Sequence, residues 1–561
     1  MSAVGWREQS LRLTSRPGGW RPQMSAERLL VVVCAWFVLT GNGPFWAAVA
    51  HAGAPLGLQL SLGVAMLALH AILIGLFAWG RSLRPLLIVL VVVTAAASWY
   101  MDRYAVVFNA DMIRNVLQTD PAETREMISA DLLLHMLIFG LLPAAFVLWT
   151  RLPAFRWQTR LRHRLLFLLG MSLLATAALA SASQGVFALM RSEPALRYQI
   201  TPGNYLVAFG RALAQDKTMP TGPRKIVAAD AHRATTAATQ RPRLVVLVIG
   251  ETVRADHWGL NGYERQTTPK LAARDDVINF PDVTACGTST AVSLPCMFSI
   301  FGREHYDRAA IAGHESLLDV LARVGVTSLW RDNQAGCKGV CAGVETQTMA
   351  TTPDPRLCQA GRCLDEILLQ GLEARIDATP GDLLVVLHPL GNHGPNYFER
   401  YPPAYEHFLP TCHSAELNHC SLEEIVNAYD NAVLYADTLL ARLIDMLAAD
   451  TSHDTAMLYL SDHGESLGEY GLFLHGAPYA VAPQAQLRVP MVFWMSPEFA
   501  RSTGVDRTCL AATAAQPRSH DDLFHSVLGM FDVISTGHLS NHDFLYPCRA
   551  PGSPPPEQPH A

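Results

Sequence analysis

The sequence lacks the features by which proteins recognise nucleic acid. It has no long run of basic residues and no stretch that combines basic with aromatic residues, and such patterns are the footprint of nucleic-acid binding. Its net charge of −6 is small for 561 residues and indicates no class of partner. We therefore expect no nucleic-acid partner. Internal repeats are also absent, and the length exceeds that of one ordinary domain.

Cysteine is nearly absent from the first part of the chain and frequent later. Cys34 is the one cysteine before residue 286, and ten follow it. Cys509 and Cys548 stand apart, and the other eight fall into close pairs in the sequence: Cys286/Cys296, Cys337/Cys341, Cys358/Cys363 and Cys412/Cys420. An even set of cysteines outside the cytosol is typical of disulfides, so we expect all ten to be oxidised. A cysteine zinc site is the alternative, although the spacings vary and no CxxC repeat occurs.

The first third of the chain contains long apolar stretches. No signal-peptide pattern precedes them, because the first stretch is too long for such a segment. A membrane-spanning helix needs about 20 residues. Five stretches meet this length: 29–50, 57–80, 85–101, 132–150 and 165–183. We predict five transmembrane helices within residues 1–183, and buried helices of a soluble protein are the alternative.

Arginine is unevenly distributed among the loops. Five arginines precede the first predicted helix, two lie between the second and third, and five lie between the fourth and fifth, whereas loop 51–56 has none. Basic residues favour the cytoplasmic side. We therefore expect a cytoplasmic N-terminus and place everything after residue 184 outside, in agreement with the cysteine argument.

The connecting segments have distinct compositions. In the loop 102–131, Asp120-Pro121 is a good helix start, and we predict short amphipathic helices at the outer membrane surface. Asn115 and Glu123 either belong to a plain connector or meet a lipid head group. We expect an interfacial helix and a flexible linker over 184–241, and a disordered Pro-rich tail over 551–561.

Short apolar runs recur between residues 242 and 550, separated by helix-like patterns. They are Leu244–Ile249, Thr327–Trp330, Leu383–Leu387, Ala456–Leu460 and Val489–Trp494. Such runs predict a buried, largely parallel sheet with helices on both faces. Ligands of these sheets bind beyond the carboxyl ends of the strands. Ionisable residues follow four of the runs there: Glu251, the segment 333–338, His388 with His393, and Asp462 with His463.

Several of these residues could form a metal-activated hydroxyl. Thr290 precedes a helical pattern over 291–301, where free N–H groups favour a phosphate, although an ordinary N-cap is the alternative. Glu251, Asp462, His463 and the Thr290 oxygen form an O/N donor set that suits zinc. A capped turn is the alternative for Asp462 and His463.

Three further polar residues have less specific surroundings. His393, His475 and Lys338 could bind phosphate oxygens, and the two histidines could also protonate a leaving group or hold a second metal. Taken singly, each histidine is more often structural or exposed, and the lysine is more often solvated.

Five motifs together carry a resemblance to a known family. They are Gly-Glu-Thr-x-Arg-Ala-Asp at 250–256, Cys-Gly-Thr-Ser-Thr-Ala-Val-Ser-x-Pro-Cys-Met-Phe-Ser at 286–299, Lys-Gly-Val at 338–340, Asn-His-Gly-Pro at 392–395 and Ser-Asp-His-Gly-Glu-Ser-Leu-Gly-Glu at 461–469. The chain resembles the lipid A phosphoethanolamine transferases, which include the mobile colistin-resistance enzymes and belong to the alkaline phosphatase/sulfatase superfamily. The resemblance extends to about residue 548. It implies a membrane α-helical bundle followed by a soluble α/β domain of alkaline phosphatase/sulfatase type.

The resemblance also implies roles for individual residues. Thr290 would be the nucleophile and, with Glu251, Asp462 and His463, would bind a catalytic zinc. Lys338, His393 and His475 would contact the phosphoethanolamine or a second zinc. Asn115 and Glu123 would contact lipid. Gln334 departs from the colistin-resistance enzymes, which carry asparagine there, and we expect it to alter an ethanolamine contact without touching the metal.

The activity implied is transfer of phosphoethanolamine from phosphatidylethanolamine to a phosphate of lipid A through a covalent threonine intermediate. The product would carry less negative charge and confer resistance to polymyxins such as colistin. The implied location is a bacterial inner membrane with a periplasmic catalytic domain, and we expect a monomer.

Rival activities remain. A sulfatase is excluded because Ser293-Leu-Pro295-Cys-Met297 lacks the arginine of the formylglycine motif. A phosphoethanolamine transferase acting on Kdo or heptose core sugars, and a phosphoglycerol-type transferase using manganese, stay open. A catalytically inactive scaffold would have lost ligands that are all present here.

Overall fold

The computed structural model describes residues 21–119, 121–233, 241–349, 354–359 and 362–550, without the side chains of 121–123, 194–195 and 470. The chain divides into two compact units. Met1–Trp99 and Ala130–Gly203 form the first unit, and Tyr100–Ser129 and Asn204–Ala561 form the second. The loop between the third and fourth long apolar segments therefore belongs to the same unit as the C-terminal α/β domain.

Helices dominate the chain up to residue 192. In chain order they are α1 (Ala26–Thr40), α2 (Gly43–His51), α3 (Leu56–Phe77), α4 (Leu83–Tyr104), α5 (Ala110–Gln118), α6 (Pro121–Glu126), α7 (Ala130–His135), α8 (Leu142–Trp149), α9 (Trp157–Ser181) and α10 (Ser183–Ser192). A π-helical turn at Met136–Leu141 joins α7 to α8. Helices α5 and α6 confirm the expected short helices of the loop.

Four helices of the described chain are long and apolar enough to cross a membrane: α3, α4, the combined α7–α8 and α9. Helices α1 and α2 would make a fifth span if taken together, but they are bent by 55°. The predicted helical membrane region is thus confirmed, whereas the number of spans is four or five.

The bend between α1 and α2 has a local cause. Gly41 and Asn42 separate the helices, and Pro44 in the first turn of α2 lacks an N–H group for continuing the α1 ladder. The buried Asn42 side chain donates to the Phe37 carbonyl over 2.7 Å and accepts from the Thr201 N–H over 2.8 Å. These bonds tie the break between the two helices to the segment at Thr201.

The second unit contains an eight-stranded sheet. The strands of the chain are β1 (His232–Arg233), β2 (Arg243–Gly250), β3 (Val277–Thr284), β4 (Thr327–Asp332), β5 (Glu345–Thr348), β6 (Cys358–Gln359), β7 (Arg362–Cys363), β8 (Leu383–His388), β9 (Asp454–Ser461), β10 (Ser466–Leu467), β11 (Phe473–Leu474), β12 (Arg488–Met495), β13 (Arg518–Ser519) and β14 (Val533–Ile534). The order in the large sheet is β13-β3-β12-β9-β2-β8-β4-β5. Strands β9, β2, β8, β4 and β5 are parallel, and β12 is antiparallel to both neighbours.

Helices cover both faces of this sheet, which explains the uninterrupted apolar runs. In β2, Val245, Leu247 and Ile249 enter one core cluster, and the alternate residues 244, 246 and 248 enter the other. The helices of this unit after α6 are α11 (Gly203–Lys217), α12 (Pro269–Ala272), α13 (Thr290–Met297), α14 (Arg308–Gly313), α15 (Leu317–Arg323), α16 (Leu372–Asp377), α17 (Leu422–Ala449), α18 (Gln484–Leu487), α19 (Pro497–Thr503), α20 (Arg507–Thr513) and α21 (Asp521–Met530).

Part of the expected flexible linker is held against the α/β domain. The Lys225 N–H donates to the Gly313 carbonyl over 2.8 Å, and the Lys225 carbonyl accepts from the Glu315 N–H over 2.9 Å. Strand β1 pairs with β14. Residues 234–240 and the predicted tail 551–561 lie outside the described residues.

Five disulfides link the ten late cysteines. They join Cys286 to Cys296, Cys337 to Cys341, Cys358 to Cys363, Cys412 to Cys420, and Cys509 to Cys548. The close pairs are those expected from spacing, and the two cysteines left over pair with each other. Cys34 is free and buried.

Candidate metal centre and catalytic cavity

Two neighbouring parallel strands bring the candidate metal ligands together. Gly250 of β2 pairs in register with Ser461 of β9, so the residues that follow, Glu251 and Asp462, leave the sheet side by side. The Asp462 N–H donates to the Gly250 carbonyl over 2.8 Å. Glu251, Asp462 and His463 are all fully buried. The carboxyl edge of the sheet therefore carries two adjacent carboxylates and an imidazole.

Thr290 completes this group from the first turn of α13. Its Oγ1 lies 3.1 Å from both carboxylate oxygens of Glu251 and 3.4 Å from Nε2 of His463. The Nε2 atom of His463 lies 3.3 Å from Oδ2 of Asp462. The hydroxyl, two carboxylates and imidazole expected from the sequence thus converge.

A single buried histidine connects the nucleophile loop to the sheet edge. His520 Nδ1 accepts from the Cys286 N–H over 3.0 Å, and its Nε2 donates to the Ser461 carbonyl over 2.9 Å. Burial lowers the pKa of His520 to about 3, which keeps the ring neutral, as this donor and acceptor pattern requires. The start of the disulfide-closed loop that contains Thr290 and the strand end before Asp462 are therefore fixed to each other.

The arrangement fits a divalent metal ion. One ligand atom from each of Glu251, Asp462 and His463 lies within 4.8 Å of the others. Oδ2 of Asp462 is buried and accepts no hydrogen bond from the described residues. His463 Nδ1 faces the Gly464 carbonyl at 2.9 Å, so Nδ1 carries the proton and Nε2 offers its lone pair. Three O/N ligands with an adjacent hydroxyl match an open tetrahedral site.

The electrostatics of the site favour a bound cation. Burial raises the pKa of Asp462, and the Glu251 carboxylate raises it further. Burial would lower the pKa of His463, but the Asp462 and Glu251 carboxylates outweigh it and raise that pKa. Burial would raise the pKa of Glu251, but the hydrogen bond and charge of His463, together with the charges of His393 and His388, outweigh burial and lower that pKa. Two adjacent buried carboxylates are costly without positive charge, and a divalent metal supplies that charge.

A small cavity of about 70 Å³ opens at Thr290. The sequence-predicted residues that line it are Asn115, Thr290, Lys338, His393 and His475. Asn115 comes from α5, so the loop expected to contact lipid contributes a wall of this cavity, and the lipid contact itself stays a prediction. The side chain of Glu123 lies outside the described residues.

The two cavity histidines are oriented by neighbouring acceptors. His393 Nδ1 lies 2.9 Å from the Gly394 carbonyl, and His475 Nδ1 lies 3.3 Å from Oε1 of the fully buried Glu465. The His475 ring is centred 4.4 Å from the ring of His463 and 5.4 Å from that of His393. Both rings can therefore serve a group bound at Thr290.

Gly391 allows the His393 loop to approach the metal centre. Its φ is +55°, a conformation that favours glycine. A Cβ atom at this position would lie 2.8 Å from the Cβ and carbonyl oxygen of Glu251. The absence of a side chain is thus a condition for placing His393 beside the site.

Gln334 contacts a candidate metal ligand directly. Its Nε2 donates to Oε2 of Glu251 over 3.0 Å. Gln334 therefore reaches a candidate metal ligand through its side-chain amide, and the expectation that it alters an ethanolamine contact without touching the metal stays a prediction.

Sequence reasoning missed several residues of the cavity and its support. Gln118, Thr119 and Ser289 line it, and Thr119 could have been found because it lies four residues after Asn115, near the same helix face. Glu126 of α6 binds Arg362 at 2.9 Å and Arg400 at 2.8 Å. Its partners lie far away in the sequence, so no local pattern could have identified it.

Comparison with known proteins identifies the family of this chain. The sulfatase family profile matches residues 243–533, and the profile described as phosphoethanolamine transferase EptA/EptB matches residues 66–217. Phosphoethanolamine transferase EptA of Salmonella typhimurium is 40% identical over 473 residues, which cover 83% of this chain and 86% of that protein. The chain belongs to the phosphoethanolamine transferase family.

Other members of the phosphoethanolamine transferase family cover nearly the whole chain. Phosphatidylethanolamine transferase Mcr-1 of Escherichia coli is 35% identical over 530 residues, 92% of this chain and 96% of that protein. The integral membrane lipooligosaccharide phosphoethanolamine transferase A of Neisseria meningitidis aligns with a TM-score of 0.91 at 36% identity, covering 94% of this chain and 100% of that one. The predicted family and superfamily are confirmed, together with a helical membrane region followed by a sulfatase-type α/β domain.

Proposed function

We propose that the protein transfers phosphoethanolamine from phosphatidylethanolamine to a phosphate of lipid A. The observation that carries this proposal is the buried Thr290 hydroxyl, 3.1 Å from Glu251 and 3.4 Å from His463, at a cavity lined by Lys338, His393 and His475. Relatives named for phosphoethanolamine transfer support the donor class.

Glu251, Asp462 and His463, with the Thr290 oxygen, are the residues that would hold a catalytic zinc ion. Such an ion lowers the pKa of a bound hydroxyl and stabilises phosphoryl charge. A second zinc could be held near His393 and His475, whose ring centres are 5.4 Å apart. The donor set of oxygens and imidazole nitrogens suits zinc.

Thr290 acts as the nucleophile in the first step. Its Oγ1 forms a bond to the phosphorus of phosphatidylethanolamine, and the bond from phosphorus to the diacylglycerol oxygen breaks. The hydroxyl proton of Thr290 passes to solvent, and the departing oxygen takes a proton from His393 or His475, which solvent then replaces, so diacylglycerol leaves as the neutral alcohol. Phosphoethanolamine then remains attached to Thr290.

In the second step, lipid A displaces Thr290 from the phosphorus. A phosphate oxygen of lipid A bonds to the phosphorus, and Thr290 Oγ1 leaves and regains a proton. Lys338 holds a phosphoryl oxygen by its charge, and the N-terminus of α13 adds N–H donors. The product has less negative charge, so polymyxins such as colistin should bind the cell surface less well.

The proposed location follows from the same chemistry. Both lipids are available at the periplasmic face of the inner membrane. A cytoplasmic N-terminus, which the arginine distribution favours, would put the α/β domain there if α1 and α2 together form a fifth span, and its five disulfides suit an oxidising compartment. We propose that the protein works as a monomer, because one chain contributes every residue of the candidate site.

Mass spectrometry of lipid A from a Gram-negative host tests the assignment. Cells expressing the parent chain should add phosphoethanolamine to lipid A, Thr290→Ser should retain some transfer, and Thr290→Ala should abolish it. Unmodified lipid A with a well-expressed, metal-loaded parent would contradict the acceptor. In that case, phosphoethanolamine on Kdo or heptose would establish the core-sugar alternative, and phosphoglycerol on any acceptor would establish the phosphoglycerol-type alternative.

A further inference from the structure

A second, larger cavity adjoins the catalytic cavity. It has a volume of about 540 Å³ and lies between α5, α13, α14 and the loop that contains Lys338. The two cavities share four lining residues: Gln118, Ala291, Ala335 and Lys338. Ala291 directly follows the candidate nucleophile, so the larger cavity begins one residue from the point of group transfer.

The volumes distinguish what each cavity can hold. The catalytic cavity, at about 70 Å³, can hold a small transferred group but no sugar ring system. Cavities that bind ligands of drug size usually measure roughly 300–1,000 Å³, and the larger cavity falls within this range. An acceptor with a phosphorylated sugar head group therefore needs the larger cavity in addition to the catalytic one.

Cations line the larger cavity, and two of them are weakly compensated. Arg114 is neutralised by Asp111 at 2.8 Å and by Asp216 at 3.0 Å. Arg308, in contrast, has its nearest carboxylate oxygen 4.0 Å away and a side chain that is 36% exposed. Lys338 donates to the Ala335 carbonyl over 3.1 Å and forms no ion pair within the described chain. Arg308 and Lys338 are thus the cations best able to pair with an added anion.

The loop around Lys338 is held in a fixed shape. Lys338 has a φ of +49°, which is unusual for a residue with a side chain, and it lies between Gly336 and Gly339, which also have positive φ. The disulfide from Cys337 to Cys341 closes this loop. Strained backbone of this kind persists where surrounding structure enforces it, commonly at functional sites. Here it holds Lys338 at the boundary of both cavities.

We propose that this larger cavity binds the phosphorylated sugar head group of the acceptor, with Arg308 and Lys338 pairing with its phosphates. The inference rests on the proposed function and assigns the acceptor its own subsite. A guanidinium is well suited to phosphate because it can donate two parallel hydrogen bonds.

A third cavity, of about 190 Å³, is the competing location. Among its described lining residues the one cation is Arg303. The Arg303 guanidinium lies 3.6 Å from the ring centre of Tyr479, and it donates to the Cys286 carbonyl. This cation is already engaged, and the volume is about a third of that of the larger cavity. Size and charge both favour the larger cavity.

Two half-reactions, each measured with the purified full-length protein in vesicles, distinguish acceptor binding from donor binding. The first is release of diacylglycerol from phosphatidylethanolamine, read together with the mass of the Thr290 peptide. The second is transfer to added lipid A. The variants are Arg308→Gln, which removes charge, and Ala312→Phe, which fills the cavity from α14. Arg501→Gln is the matched control, because Arg501 is 74% exposed and forms a surface ion pair with Glu498.

Arg308→Gln should raise the KM for lipid A roughly tenfold, the size expected for loss of one charge-assisted hydrogen bond. The diacylglycerol half-reaction should be unchanged. Ala312→Phe should slow transfer to lipid A in the same selective way, and Arg501→Gln should affect neither step.

The outcomes that overturn the inference are distinct from failure of the proposed function. Unchanged acceptor kinetics in both variants would rule out the subsite, and equal slowing of both half-reactions would assign the cavity to the donor. A parent protein that releases no diacylglycerol and forms no Thr290 adduct would instead contradict the proposed function itself.

Discussion

The side-chain amide of Gln334 donates to Oε2 of Glu251 over 3.0 Å. Gln334, which follows the end of β4, thus orients a candidate metal ligand. With one carboxylate oxygen engaged by the amide, Oε1 is the oxygen left to face His463, whose Nε2 lies 3.5 Å from it. Residues that support ligands in this way tune metal affinity.

Gln334→Asn should weaken metal binding, because the shorter side chain withdraws its amide from Glu251. We expect a loss of roughly 10–100-fold in zinc affinity, measured by competition with a chromogenic chelator. Gln118→Asn is the control, since Gln118 lines the same cavity and, within the described residues, makes no hydrogen bond to Glu251, Asp462 or His463. Equal affinity of Gln334→Asn and the parent would show that the amide does not position Glu251.

Glu465→Gln should slow transfer by altering His475. The Glu465 carboxylate lies 3.3 Å from Nδ1 of His475 and favours the tautomer that leaves Nε2 free for substrate. We expect a fall in kcat of roughly tenfold or more and a shifted pH–rate profile. A merely structural role would lower the amount of folded protein without moving the pH profile, so the profile decides between the two.

Glu126→Gln should disturb both stability and activity. Glu126 compensates Arg400, whose side chain is buried and donates to the His393 carbonyl over 2.7 Å. Burial would raise the pKa of Glu126, but Arg400 and Arg362 outweigh it and lower that pKa. Removing one partner of a buried ion pair costs about 3 kcal/mol or more, measurable by denaturant unfolding.

The control for this change is Glu366→Gln, because Glu366 pairs with Arg442 at the surface, where ion pairs contribute little. If Glu126→Gln unfolds at the same denaturant concentration as Glu366→Gln, then α6 is not anchored through Glu126.

His525 should make the protein less stable in acid. Burial, then the neighbouring His538 and His542, lower its pKa from 6.5 to about 3. Between these values the unfolded chain binds a proton that the native chain does not, so the stability due to neutral His525 is complete above pH 6.5 and is lost as the pH falls. The slope for one such group is about 1.4 kcal/mol per pH unit.

His525→Gln should flatten this slope while keeping an acceptor for the Leu539 N–H, which now donates to His525 Nδ1 over 3.1 Å. Denaturant midpoints between pH 4 and 7 measure it. His542→Gln is the opposite control: Asp522 raises the pKa of His542, so its stabilisation is present at low pH and lost as the pH rises through that value. Parallel slopes for parent and His525→Gln would contradict the assignment.

The sequence could predict the sheet because its central strands are buried on both faces and therefore read as uninterrupted apolar runs. All five predicted runs are strands of the structure: β2, β4, β8, β9 and β12. Strands β5 and β13 could not be found in this way, because Glu345–Thr348 and Arg518–Ser519 are short and polar and lie at the sheet edges. The antiparallel direction of β12 depends on chain path, which local periodicity does not encode.

The same distinction holds for the candidate site. Glu251 and Asp462 follow strands, so their convergence could be anticipated from the rule that parallel strands end at one edge. The links from His520 to Cys286 and from Glu126 to Arg400 join residues far apart in sequence. Such contacts depend on how the whole chain packs, so they could not be predicted from local sequence patterns.

The loop Tyr100–Ser129 folds with the α/β domain although it lies between membrane helices in the sequence. Gene fragments that begin at residue 204 would therefore encode every candidate metal ligand but leave out α5, which contributes Asn115, Gln118 and Thr119 to the catalytic cavity and Asp111, Arg114 and Gln118 to the larger one. Chimeras between relatives face the same constraint. Replacing the α/β domain alone would combine it with a Tyr100–Ser129 loop from a different protein. Acceptor preference should then depend on two separate stretches of the gene, those for residues 100–129 and for the α/β domain, which have to be exchanged together.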